Sequence, residues 1–165
     1  MDAHQEEASA VHVEALRGWV LAILVLGLAG TVIELILLGH YEQPLQLVPV
    51  VLILASAPAL AWHVMHRDSA SLYALMTIMA LFVRAGFVGF LAHFYGSAEF
   101  QLDLDRSMST WNLLLKVMRA KAPPLLAPGM MMQLGLLGLA YVFSDAHYRP
   151  RATRVLRFLC LKETR

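Results

Sequence analysis

The stretch WVLAILVLGLAGTVIELILL at residues 19–38 contains one charged side chain, Glu34. About 20 apolar residues in helical form reach across the roughly 30 Å hydrocarbon core of a bilayer. On the C-terminal side, Leu47–Met65, Leu72–Ala92 and Pro124–Phe143 repeat this length and character. The sequence therefore predicts an all-α membrane protein, a four-transmembrane-helix bundle. Composition agrees, since 59% of the 165 residues are hydrophobic and 15% are charged, against the roughly 45–50% apolar share of soluble domains. Pro49 and Pro58 interrupt the second span. Proline is tolerated in membrane helices where neighbours satisfy the released carbonyl, and Pro49 is expected in the first turn, where its missing N–H costs little.

Asp2, Glu6, Glu7 and Glu14 precede the first span, and a secretory leader would place basic residues there. The first span is thus expected to be an anchor, and residues 1–18 a short surface helix or a frayed segment. Residues 19–143 form the membrane domain and 144–165 a basic tail. Four spans put both termini on one side. Lysine and arginine outside the spans number eight on that side (Arg17, Arg67, Arg149, Arg151, Arg154, Arg157, Lys162, Arg165) and four on the other (Arg106, Lys116, Arg119, Lys121). The positive-inside rule then makes both termini cytoplasmic in a plasma (inner) membrane.

The outer connection, residues 93–123, is too long for a simple turn. Glu-Phe-Gln-Leu-Asp-Leu-Asp at 99–105 alternates with period two, the pattern of a half-buried strand. From Ser109 the spacing becomes helical, with Ser109 or Thr110 as cap and Trp111, Leu114, Leu115 and Met118 as apolar face. In the tail, five arginines and one lysine mix with Val155, Leu156, Phe158, Leu159 and Leu161. That composition suits an amphipathic helix on anionic lipid, with Cys160 open to lipidation.

Ionisable residues inside spans cost about 2.5–3.5 kcal/mol each on insertion scales, so they call for a partner. Glu34 and Arg84 lie in the outer halves of the first and third spans, within reach of each other as a buried pair. Gln133 and Ser56 fall at similar depth in the fourth and second. Gly27, Gly30, Thr31 and Glu34 follow a 0, 3, 4, 7 spacing, which places Glu34 on a face that packs against protein. The Gly86–Gly89 face is similarly small enough to meet a neighbouring subunit. Pro128-Gly129 is expected to weaken the fourth helix one turn before Gln133.

His40 and His93 follow the first and third spans. With Glu42 and Glu99 they form a candidate ligand set for a divalent metal such as Zn²⁺ or Cu²⁺, and the two imidazoles could also ligate haem axially. His4, His12, His63, His66 and His147 read as surface residues. Met130, Met131 and Met132 cover three faces of one helix, as apolar filler does.

No phosphate loop, GxSxG elbow or nucleophilic cysteine with a base is present, which argues against an enzyme. The single cysteine excludes an internal disulfide, and a net charge of +1 gives no field for nucleic acid. The expected function is that of a non-enzymatic integral membrane subunit, self-associating or accessory to a larger complex. Its partners are the lipid bilayer and further copies or other membrane subunits. The alternatives are a small proton or ion conductor using Glu34, Arg84 and Gln133, and a metal or haem protein using His40 and His93.

Overall fold

A computed structural model describes residues 3–40, 42, 44–119 and 126–144. Among the described residues it contains five helices and no strand: α1 (Ala3–Leu37), α2 (Pro44–His66), α3 (Ser69–Leu104), α4 (Thr110–Met118) and α5 (Leu126–Phe143). All but α4 are long and apolar enough to cross a membrane. Leu26, Leu37, Leu54, Phe87 and Val88 are exposed on their outer faces, as expected of helices whose surroundings are hydrocarbon.

The turns follow from local chemistry. Gly39 ends α1 in a left-handed conformation (φ 63°), with the Gly39 N–H donating to the Ile36 carbonyl and the His40 N–H to that of Leu35. This pair of bonds closes the last helical turn and needs a residue without a Cβ penalty at Gly39. Pro44, with no N–H to lose, opens α2. Between α2 and α3 stand only Arg67 and Asp68. The Asp68 carboxylate caps α3 by accepting the Ser71 N–H at 2.7 Å, which holds its pKa below the ordinary carboxylate value.

Both α2 and α5 pack against α1 and against α3, and the α3–α5 seam is the most extensive. No comparable seam joins α1 to α3, so these two helices stand at opposite corners of the bundle. The core between them contains Leu24, Leu28 and Leu35 of α1, Ile53 and Leu60 of α2, Leu75, Met79 and Phe82 of α3, and Leu134 and Val142 of α5.

Several expectations change. Residues 99–105 are not a strand but the end of α3. An isolated strand would leave its backbone groups unpaired, whereas the continuing helix pairs them internally up to the Asp105 N–H, which reaches the Gln101 carbonyl at 3.1 Å. The Asp105 carboxylate then accepts the Ser107 hydroxyl and N–H and turns the chain toward α4. Ser109 caps α4, as its position suggested. However, α4 rests on α3 through Val117, which the expected face omitted, while Trp111 points outward.

The N-terminal segment is helical from Ala3 and continuous with the first span. Pro49 lies in the second turn of α2, not the first, so one helical bond is lost there. Pro128 lies in the first turn of α5 as described, where its missing N–H costs little. The basic tail and Cys160 lie outside the described residues.

Candidate functional site

Polar side chains occupy three levels of the bundle. At the end near the termini, four helices contribute to one buried group: Arg17 of α1, His63 of α2, Ser71 of α3 and Tyr141 of α5. The Ser71 hydroxyl donates to the Asp68 carbonyl at 3.0 Å, so it receives the His63 Nδ1 proton across 3.2 Å. A hydroxyl has one proton, and this bond therefore selects the Nδ1–H tautomer. The His63 ring meets Tyr141 edge-on at 5.9 Å, and the Arg17 guanidinium lies 5.1 Å from the centre of the same tyrosine ring. Glu14 approaches Arg17 at 3.6 Å and Arg67 at 3.1 Å. Together these groups form a clasp that draws α1, α2, α3 and α5 to one level, with a cation over an aromatic face.

Sequence reasoning missed the clasp. It placed His63 at the surface, yet His63 is 1% exposed. The available signal was periodicity: Arg17, Leu24, Leu28, Thr31 and Leu35 form one buried stripe of α1, and His63 shares a face with Ser56 and Ala59.

At the middle level, Glu34, Arg84 and Gln133 all face outward. Among the described residues, neither Glu34 nor Arg84 takes part in an ion pair. The cause is the rotation of the helices. The glycine-rich stripe of α1 is divided, with Gly27 opposite Leu134 and Thr31 buried, while Gly30 meets open space and Glu34 lies on the outer flank. Arg84 lies on the far side of α3 from Phe82 and Met79, both of which are fully buried. Ser56 alone is buried, and its hydroxyl donates to the Ile53 carbonyl of its own helix at 2.7 Å. The four residues therefore do not converge inside one protomer. Nor does the Gly86–Gly89 face meet another subunit, because Gly86 and Gly89 lie against Pro128 of α5.

Depth follows from the contacts. The clasp sets Arg17 and Ser71 level, and at about 1.5 Å per residue Glu34 stands roughly 26 Å and Arg84 roughly 20 Å above it. Gln133 adjoins Leu134, which meets Gly27, roughly 15 Å above Arg17. All three lie within the thickness of a hydrocarbon core.

At the far end, His40 and His93 do come together, with ring centres 6.0 Å apart and planes 25° from parallel. The closed turn at Gly39 carries His40 over α3. Glu42 and Glu99 are exposed, and among the described residues no three His, Cys, Asp or Glu side chains are grouped to hold a metal ion. Partial burial first, and the His93 imidazole second, hold His40 below the ordinary 6.5. A depressed imidazole pKa means that the unfolded chain takes up the proton first. The associated stability is full above 6.5 and declines as pH falls from there toward the lower folded value. We expect the His40 Cε1 proton to titrate by NMR with a midpoint below 6.5, and His93→Ala to raise that midpoint only partway, because burial remains. An unchanged midpoint in the variant would show that the two rings do not sense each other.

Compared with protein-family models, curated proteins and solved structures, this chain matches none.

Proposed function

We propose that this chain is a non-enzymatic integral membrane subunit that associates laterally, with copies of itself or within a larger membrane assembly. One observation carries the reading: Glu34, Arg84 and Gln133 face away from the bundle at membrane depth. A charged side chain held against lipid there costs about 2.5–3.5 kcal/mol, and a neighbour that pairs and covers it removes most of that cost. Among the described residues the core at that depth is mainly apolar, Met79, Phe82 and Leu134, and its buried polar side chains, Thr31 and Ser56, are single hydroxyls, which favours lateral contact over a proton or ion path through the centre of one protomer.

The same reading places the protein in the plasma (inner) membrane with both termini cytoplasmic. The support is the count over the whole sequence, eight lysines and arginines on the terminus side against four on the other. Six of the eight fall in residues 149–165, outside the described residues, and Arg17 and Arg67 alone would not outweigh the four.

Mild-detergent purification at native expression level, followed by mass determination of the intact species, tests the reading. An assembly of defined mass is expected. A species that is monomeric in both detergent and nanodiscs, with no bound protein, would overturn it.

A further inference from the structure

We propose that the neighbour is a second copy of this chain, and that Glu34 of one copy pairs with Arg84 of the next in a head-to-tail ring. This rests on the lateral-association reading above and names its partner and geometry.

Three observations lead to it. First, the unpaired outward charges are one acid and one base, so a single contact satisfies both. Second, their depths match. Copies in one membrane share an orientation, so α1 of one copy and α3 of the next run parallel. Counted from the clasp, Arg84 and Gly30 both stand roughly 20 Å up, and Glu34 stands one helical turn above them. Gly30 has nothing within 4 Å of where a Cβ would be. The α3 backbone can therefore approach α1 at the depth of Arg84, and the guanidinium extends one turn to the carboxylate. Exposed Ile33 and Leu37 beside Glu34 meet exposed Leu81, Phe87 and Val88 beside Arg84, so apolar contact surrounds the pair while the charges set its register.

Third, α1 and α3 occupy opposite corners of the bundle. A two-fold dimer about the membrane normal would bring α1 to α1 or α3 to α3, facing like charges toward each other. Joining the α1 corner to the α3 corner is a heterologous contact, which closes by rotation into a ring of more than two copies.

The test uses full-length chains in native membranes on a Cys160→Ser background, which removes the only natural thiol. Two differently tagged chains, one carrying Glu34→Cys and the other Arg84→Cys, are co-expressed and treated with a membrane-permeant bismaleimide that spans about 10 Å, because positions one helical turn apart on packed helices are too far for a direct disulfide. A mixed cross-linked dimer is expected, and one chain carrying both cysteines should give a ladder extending past the dimer. Charge reversal provides an independent measurement. Glu34→Arg alone or Arg84→Glu alone should weaken association roughly tenfold to hundredfold, and the two together should restore it.

If the unsubstituted protein is monomeric, both this pairing and the lateral-association reading fail. Assembly with a different chain only would overturn the pairing and leave that reading standing. Self-association that shows only 34–34 or 84–84 links, or no recovery on double reversal, would likewise overturn the pairing alone.

Discussion

Alanine at Gly135 or Gly86 is expected to destabilise the protein more than any other single methyl group added to it. At Gly135 the new Cβ would lie 2.7 Å from the Met79 carbonyl oxygen and 2.9 Å from the Phe82 Cβ. At Gly86 it would lie 2.6 Å from the Pro128 carbonyl oxygen and 2.9 Å from the Met132 nitrogen. These are backbone atoms, or atoms rigidly attached to backbone, so only separation of α3 from α5 relieves the overlap. Such overpacking costs about 1–3 kcal/mol, and the long α3–α5 seam places these variants at the upper end. Gly138→Ala meets the Met79 side chain instead, which can repack, and should lose less. Gly129→Ala and Gly18→Ala meet nothing and should gain up to about 1 kcal/mol from helix propensity. Thermal unfolding in detergent followed by circular dichroism provides the comparison. Equal melting of all five variants would mean that the helices are not this close.

The second large effect is at Tyr141. Its ring lies under the Arg17 guanidinium and against the edge of His63, so Tyr141→Ala removes the common surface on which α1 and α2 meet α5. Deleting a buried aromatic side chain costs about 3–5 kcal/mol, and here it also deprives a nearly buried cation of its π partner. Tyr141→Phe retains the ring and should stay near the wild type. Tryptophan fluorescence during denaturant titration can follow Trp19 and Trp62, which lie on α1 and α2. A Tyr141→Ala protein that unfolds together with the wild type would show that the clasp does not hold these helices.

Outcomes at particular residues show how far the chain could be read unaided. Four spans were legible because hydropathy over some 20 residues is a bulk property, insensitive to which side of a helix faces its neighbour. The Ser109 cap was legible because a cap is a contact three residues away. The period-two pattern of residues 99–105 misled, since alternation shows a strand only where a second strand is available to pair with it. His63 and Arg17 misled because titratable residues near span ends usually reach water, and only the packing of α5 placed Tyr141 over both.

The order of amino acids alone was enough to specify a helical protein with four helices able to cross a membrane, because the bilayer as solvent requires only length, apolarity and internal backbone pairing. How each helix is rotated emerged only when the helices packed. That rotation sends Glu34, Arg84 and Gln133 outward, gathers Arg17, His63, Ser71 and Tyr141 inward, and brings His40 to His93. These helices are apolar nearly all round, so hydropathy leaves the buried face unspecified. Close packing at Gly86, Gly135 and Gly138 against α3 or α5 selects it instead.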